Sequence, residues 1–392
     1  MAPNEMPPAP VSRPTIVELL RFFAWLGSVG FGGPIALVGY MEQTAVRERR
    51  WVTRQEFADG LAFCQLAPGP LAAQLAIYIG WLCAGVRGAT AVGIAFIAPS
   101  FIMVIALGTL YVRFGGMAWL QGAFYGIGAA VIAIIARSAY KLAKTTLGRH
   151  VLLWVLFVVS ALVTAWTESE IVWVFVLSGV IAVAVRALPR FAGSRVQSLV
   201  VELPVWLMSG LSGAADLATV STVFVYFASA GLFVFGSGLA IVPFLHGGVV
   251  VQHHWLTERQ FLDAVAVALI TPGPVVITVA FIGFLVAGLA GATAAAAGVF
   301  APVYVITILV APHFQRLKAH AGVRAFVDGV TAAATGAIAG AAVVLGRRAI
   351  VDVPTMLIAG ATLALLLGVK RVPEPLVIAA AGVVGVLVAG AS

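Results

Sequence analysis

A proline-glycine-proline tripeptide interrupts apolar sequence at two places, Pro68-Gly69-Pro70 and Pro272-Gly273-Pro274. Proline has no backbone N–H and clashes with the preceding helical turn, so neither tripeptide can lie inside a continuous helix. The last proline of each is nevertheless suited to the first position of a new helix. Each tripeptide therefore predicts that one helix ends and another begins within apolar sequence.

The composition places these breaks in a membrane. Of the 392 residues, 62% are hydrophobic and 10% are charged, and apolar runs near or above 18 residues recur along the chain. We therefore expect an all-α polytopic membrane protein whose partner is the lipid bilayer. The net charge of +8 lies in short loops between apolar runs, which argues against nucleic acid as a partner. Cys64 and Cys83 define neither a disulfide framework nor a metal site, and no cofactor is expected.

The second half of the sequence repeats the first. With an offset of 204, residues 31–70 match residues 235–274 at thirteen positions, which include a tryptophan, an aspartate and the whole tripeptide. We expect a disordered tail (1–14), a first transmembrane repeat (15–190), a linker (191–215) and a second transmembrane repeat (216–392). Such duplication is typical of transporters with a site between two repeats.

Loop charge and segment length suggest how the copies are oriented. Of the arms that flank the first tripeptide, the shorter spans about 18 Å, roughly half a bilayer, so we expect a re-entrant hairpin, or alternatively one broken span. Basic residues of the first half collect on one side if such a hairpin is present, whereas the preference in the second half is weak. We therefore expect inverted repeats of five crossings plus one hairpin each, with Trp51 as an interfacial anchor.

The paired motifs point to a known family. With Phe31-Gly-Gly-Pro34, Trp51 and Gln65 before the first tripeptide, and Phe235-Gly-Ser-Gly238 and Trp255 before the second, the chain resembles the chromate ion transporter family in its two-domain form. The likeness runs from residue 15 to the end. It implies efflux of chromate, a tetrahedral dianion, across the bacterial inner (plasma) membrane, chromate resistance, and coupling to the proton gradient by antiport.

Two positions depart from the family pattern. Leu269 stands where members often carry glutamine, and Glu42 where relatives commonly have histidine. The alternative function is transport of sulfate or another tetrahedral oxyanion, and a homodimer is an open possibility. An enzyme acting on lipid phosphates would need clustered acid and base groups or metal ligands at membrane depth, and the sequence has only scattered carboxylates, so no enzymatic activity is expected.

A dianion that loses its hydration needs replacement donors, and backbone N–H groups at the starts of helices supply them. Four breaks offer such groups. Their residues are Gly32, Gly33 and Pro34; Pro68, Gly69 and Pro70; Gly236, Ser237 and Gly238; and Pro272, Gly273 and Pro274. The alternative interpretation is that the breaks are only kinks that let helices pack.

Uncharged side chains beside the breaks are further candidates for contact with the anion. They are Gln65, Gln74, Ser237, Thr271 and Thr278. The serine and threonines can instead bond back to carbonyls of their own helix. Neutral donors discriminate poorly between oxyanions, so sulfate is expected to compete with chromate.

Four titratable residues at matched positions are candidates for proton coupling, namely Asp59 with Asp263 and Glu42 with His246. A carboxylate in an apolar segment is costly unless it is paired or protonated, and histidine titrates near neutrality. The alternatives are a structural carboxylate near the interface and an interfacial histidine. Arg21 is a possible substrate cation, although an ion pair with Glu18, three residues away, is the simpler expectation.

Overall fold

The computed structural model describes residues 13–31, 33–114, 117–167, 172–186, 217–232, 234, 241–314, 320–369 and 373–389. Within these ranges the chain is helical and contains no strand, so the all-α prediction is confirmed. The predicted linker, residues 191–215, lies outside the described residues. So does the predicted tail, apart from residues 13 and 14.

The helices of the first half follow one another in a simple order. They are α1 (Ile16–Val29), α2 (Gly33–Glu42), α3 (Arg54–Leu66), α4 (Leu71–Phe114), α5 (Ala118–Thr146), α6 (Val151–Thr167) and α7 (Val172–Arg186). A π-helical turn, Gln43–Glu48, continues α2.

The second half repeats this order. Its helices are α8 (Leu217–Leu232), α9 (Ile241–Leu245), α10 (Glu258–Ile270), α11 (Thr278–Val310), α12 (Ala321–Ala349), α13 (Val353–Gly368) and α14 (Glu374–Ala389). A π-helical turn, His246–Gln252, follows α9, and 3-10 turns Val275–Ile277 and Ala311–His313 flank α11.

The first proline-glycine-proline break closes a helical hairpin. The rings of Phe63 on α3 and Tyr78 on α4 stack with their centroids 6.0 Å apart. Gly60 lies so close to the same tyrosine ring that a β-carbon at this position would overlap it. Because these residues stand at similar distances before and after the break, the two arms run side by side in opposite directions.

The chain turns back a second time within α4. Ala84 and Gly85 have non-helical dihedral angles, and Gly85 has φ +60°. A β-carbon on Gly80 would lie 2.5 Å from the carbonyl oxygen of Gly88. In a straight helix residues eight apart are separated by about 12 Å, so this contact requires a reversal. The arm after the turn, residues 86–114, is long enough to cross a bilayer.

The same reversal occurs in α11, where Ala287 and Gly288 have nearly the same dihedral angles as Ala84 and Gly85. A β-carbon on Gly283 would overlap the carbonyl oxygen of Gly291. Four helices of the described part are long and apolar enough to span a membrane, namely α4, α5, α11 with its flanking 3-10 turns, and α12. The chain is a polytopic helical membrane protein.

Local details of the duplication are reproduced closely. Each π-helical turn ends before a residue with positive φ, Arg50 at 53° and His254 at 51°. Each following helix begins with a capping box, in which Thr53 pairs with Glu56 and Thr257 with Gln260. The two halves therefore share backbone conformation at positions where sequence identity is low.

Helices of each half pack against helices of the other half. α5 of the first half packs against α13 and α14 of the second, and α12 of the second packs against α6 and α7 of the first. Glycines permit the close approach, since a β-carbon on Gly126 would overlap the carbonyl oxygen of Ala381, and one on Gly329 would overlap that of Ser178. The two sequence repeats therefore share one interlocked core.

Two expectations about side chains near the first helix were wrong. Trp51 was expected to act as an interfacial anchor, but it is only 4% exposed and its ring lies 5.7 Å from that of Phe22, so it packs inside the protein and does not present its ring to lipid. Glu18 was expected to pair with Arg21, but its carboxylate accepts hydrogen bonds from the amide and hydroxyl of Thr15. Glu18 therefore caps α1, and Arg21 is exposed on the same helix.

Candidate anion-binding site

The tip of the first hairpin reaches into the second half. α3 ends where the amide of Ala67 donates to the carbonyl of Phe63 at 2.8 Å. Gly69 follows with φ +138°, and its amide donates to the carbonyl oxygen of Val234 at 2.6 Å. Pro70 immediately precedes Leu71, the first residue of α4, so the helix begins one residue later than the sequence predicted.

The second tip makes the reciprocal contact. Gly273 has φ +96°, and its amide donates to the carbonyl oxygen of Gly30, at the end of α1, at 2.9 Å. Gly69 and Gly273 are matched positions, and so are Gly30 and Val234. The two halves are therefore related locally by a pseudo-two-fold axis that passes between the tips.

The two tips and the start of α2 enclose a small central cavity of about 10 Å³. Its lining consists of apolar residues from three breaks, namely Pro34, Leu37, Pro70, Leu71, Ala72, Pro274, Val275 and Val276. Leu71, Ala72, Val275 and Val276 lie in the first turns of new helices, whose N–H groups have no acceptor within the helix. The positive ends of two helix dipoles therefore lie at the cavity, although the side chains that line it are apolar.

The predicted side-chain donors are distributed differently. Gln65 is exposed on α3. Gln74 is fully buried and donates from Nε2 to the carbonyl of Pro68 at 3.0 Å. Its Oε1 is buried without a hydrogen-bond partner among the described residues. Thr271 and Thr278 donate back to carbonyls of their own helical turns. None of these four residues lines the central cavity in this conformation.

Four predicted site residues lie outside the described part of the chain, namely Gly32 and the second-half motif residues Gly236, Ser237 and Gly238. Gly33 is the first residue of α2. Pro272 is buried next to Gly273.

Ser100 is a buried polar residue at the second tip that the sequence analysis missed. Its hydroxyl donates to the carbonyl of Gly27 at 3.1 Å, and it occupies the space beside Gly273. In the first tip the matched contact is apolar, since Val303 lies beside Gly69. The available signal was Pro99, whose match with Pro302 places Ser100 opposite Val303 in the repeat.

The matched aspartates have different surroundings. Asp59 is half-buried and accepts a hydrogen bond from Gln55 at 3.2 Å. Asp263 is only 4% exposed and accepts a hydrogen bond from the hydroxyl of Tyr111 at 2.7 Å. Because Tyr111 is 152 positions away in sequence, no local pattern could have identified this partner.

Glu42 and His246 also differ. Glu42 forms an ion pair with Arg47 at 2.9 Å, in which the arginine side chain is 69% exposed. His246 is 3% exposed and lies 2.9 Å from a carboxylate oxygen of Glu258, which also contacts Arg348. His246 is therefore inside the protein, whereas the simpler expectation placed it at the interface.

Residues that bind metals are not grouped in the described part of the chain. No three histidine, cysteine, aspartate or glutamate side chains there are arranged to hold an ion. Cys64 and Cys83 are buried free thiols.

A duplicated helical membrane protein, in which broken helices of both halves meet at one central cavity, has an architecture that is typical of membrane transporters. The sequence also matches the family model described as Chromate transporter over residues 17–183 and 221–386. The chain belongs to the chromate transporter family, as its motifs predicted.

Relatives agree with this assignment along nearly the whole chain. The chain is 53% identical over 373 residues to the chromate transport protein of Cupriavidus metallidurans, covering 95% of this chain and 93% of the relative. It is 50% identical over 379 residues to the probable chromate transport protein of Synechococcus elongatus, covering 95% of each. The chromate transport protein of Pseudomonas aeruginosa is 31% identical over 407 residues, covering 99% and 95%. No solved structure matches the chain significantly.

Proposed function

We propose that the protein is a secondary active transporter that exports chromate across the bacterial plasma membrane and thereby confers chromate resistance. The observation that carries this proposal is the reciprocal pair of hydrogen bonds, Gly69 to Val234 and Gly273 to Gly30, which brings the broken helices of both halves to one cavity. Family membership and the names of the relatives support chromate as the substrate.

The central cavity would bind the anion after the two tips separate. A volume of about 10 Å³ admits at most one water molecule, so this conformation is closed to a tetrahedral oxyanion. Separation would break the bonds from Gly69 and Gly273 and free both amides. Those amides and the N–H groups at the starts of α4 and α11 would then replace the hydration shell of the anion. Alternate opening to the two sides would move it across the membrane.

The fold supports an inverted arrangement of the repeats with re-entrant hairpins. α3 and the first arm of α4 are each about 20 Å long, which is too short to cross a hydrocarbon core of about 30 Å. The tips of two such hairpins, entering from opposite sides, would meet near the midplane. Irregular backbone is tolerated there because the protein itself surrounds it.

Proton coupling is part of the proposal, with Asp263 as the carrier. Among the four candidates, Asp263 combines deep burial with a hydroxyl partner on another helix. Glu42 is engaged in an ion pair with a largely exposed arginine, and Asp59 is only half-buried. A buried carboxylate that gains and loses a proton changes the charge inside the protein, which is the requirement for coupling to a proton gradient.

The test is uptake of radiolabelled chromate by everted vesicles, with and without an imposed pH gradient. Accumulation that collapses when an uncoupler is added supports proton-coupled export. Uptake that is the same with and without the pH gradient would indicate facilitated diffusion and would contradict proton coupling. In a separate arm sulfate is added at the same saturating concentration as chromate, and a fall of chromate uptake to about half would identify a general oxyanion carrier, because ligands of equal affinity then share the site equally.

A further inference from the structure

A second and larger cavity lies away from the central one. Its volume is about 230 Å³, and it lies between the end of α4, the start of α5 and the start of α10. Residues that line it include Tyr111, Gln121, Thr257, Arg259 and Asp263. It shares no lining residue with the central cavity. Its size suits a small ligand, since sites for drug-sized molecules start at about 300 Å³.

The cavity gathers hydrogen-bond donors around a single carboxylate. Tyr111 donates its hydroxyl to Asp263 at 2.7 Å. Arg259 donates one guanidinium N–H to the carbonyl of Gln121 at 3.1 Å. A guanidinium carries five N–H groups and cannot accept, so further donors of Arg259 are available for a ligand. Thr257 marks the N-terminus of α10, where the helix dipole also favours negative charge.

The matched surroundings of Asp59 lack both donors. By the repeat alignment, Gln55 stands at the position of Arg259, and Phe314 at the position of Tyr111. The ring of Phe314 packs on Phe63 with centroids 5.4 Å apart, and phenylalanine has no hydroxyl to offer Asp59. The donor set therefore surrounds Asp263 but not Asp59, although the two aspartates are at matched positions.

We propose that this cavity is a second site for a tetrahedral oxyanion, in which the carboxylate of Asp263 competes with the anion for the Tyr111 hydroxyl and the Arg259 guanidinium supplies further donors and a positive charge. The identity of the anion rests on the proposed function. An ionised Asp263 occupies the Tyr111 hydroxyl and repels a dianion, whereas a protonated Asp263 no longer requires that donor and removes the repulsion. Anion binding and proton binding at Asp263 therefore favour each other.

Other charged and titratable groups lie on the elements that pack around Asp263, and they also affect the coupling between proton binding and anion binding. α4 contributes Arg113 close to Tyr111, and α10 itself contributes Glu258. His246, in the preceding π-helical turn, contacts Glu258, and Glu374 lies at the start of α14, which packs against α10. The aspartate is singled out because it alone among the titratable groups named here receives the hydrogen bond of Tyr111 within the cavity.

The experiment measures chromate affinity of the purified full-length protein in detergent, by equilibrium dialysis with radiolabelled chromate at a series of pH values. The compared proteins are the wild type and Asp263→Asn. Titration of chromate itself affects both equally, so the ratio of their dissociation constants isolates the aspartate. We expect the wild type to bind about tenfold more weakly than Asp263→Asn at alkaline pH, and the ratio to approach one as the pH falls. A ratio that does not change with pH overturns the proposal.

Four further variants complete the test. Arg259→Gln and Tyr111→Phe remove one donor each and should weaken binding at every pH, and unchanged affinity in both overturns the proposal even if Asp263→Asn fails to fold. Glu48→Gln, at an exposed carboxylate, is the control for loss of a negative charge. Asp59→Asn should keep the pH dependence of the wild type. If it instead loses the pH dependence as Asp263→Asn does, the effect is not specific to Asp263 and the proposal is contradicted. Chromate uptake by wild-type vesicles is measured in parallel, so that its absence identifies failure of the proposed function itself.

Discussion

A β-carbon at Gly273 would overlap the hydroxyl oxygen of Ser100. Ser100 lies on α4 of the first half, and Gly273 forms the tip of the second, so the contact joins the two repeats at the central cavity. Gly273 also has φ +96°, a conformation that residues with a β-carbon adopt only under strain. Glycine is thus required at this position for two separate reasons.

Gly273→Ala should therefore lower both stability and transport. Backbone strain and overlap with Ser100 together cost about 2–4 kcal/mol. The measurement is the melting temperature in detergent together with chromate uptake in vesicles. Gly360→Ala on α13 is the matched control, since nothing lies within 4 Å of its β-carbon and it should behave as the wild type. Adding Ser100→Ala to Gly273→Ala should restore part of the stability, and no recovery would show that the overlap is unimportant.

The breaks, the duplication and the helical class could be predicted because they depend on local chemistry. Proline and glycine at positions 68–70 and 272–274 exclude a continuous helix whatever surrounds them, and the sequence match alone related Gly69 to Gly273. The expected hairpin requires the chain to reverse after it, but the residues at which it turns, Gly85 and Gly288, were not identified. A single glycine within a helical run indicates a reversal only when its contacts are known.

The partners across the fold could not be predicted, because they come from distant parts of the chain. Trp51 was expected at the membrane interface from its place beside basic residues, but its burial depends on how α1 packs. Tyr111 was not recognised as the partner of Asp263, since only the packing of α4 against α10 brings them together. The packing of α5 and α12 against helices of the opposite half leaves no signal in hydrophobic periodicity, which reports burial and not the identity of the neighbour.

The cluster of His246, Glu258 and Arg348 should contribute more to stability than its counterpart in the first half. Glu258→Gln removes the carboxylate that contacts both basic residues, one of which is buried, and should cost about 1–3 kcal/mol. Glu42→Gln, at the position matched to His246, removes the pair with the exposed Arg47 and should cost less than about 1 kcal/mol. Thermal unfolding in detergent ranks the two variants, and an equal loss in both would contradict a structural role for the buried cluster.

A hydrogen bond between α5 and the start of α13 should make stability depend on pH in the acidic range. The hydroxyl of Tyr125, which donates to the carboxylate of Asp352 at 2.5 Å, and the amide of Thr355 hold the pKa of Asp352 below its usual range. A carboxylate with a lowered pKa stabilises the folded state fully above about pH 4, its ordinary value, and this stability is lost as the pH falls through the lower folded-state pKa. Tyr125→Phe should therefore melt below the wild type at neutral pH, with the difference shrinking below about pH 4. A difference that stays constant under acid would exclude Asp352 as its source.

Labelling of single cysteines tests whether the repeats are inverted. Arg50 and His254 occupy matched positions with the same positive φ, and both are exposed, so they report on the same point of each repeat. In a protein whose native Cys64 and Cys83 have been replaced by alanine, Arg50→Cys and His254→Cys should react with a membrane-impermeant maleimide from opposite sides of the membrane. The reason is that two half-length hairpins meet at their tips only if they enter from opposite faces. Reaction of both positions from one side would show that the repeats are parallel, and the hairpin tips would then have to meet near one surface.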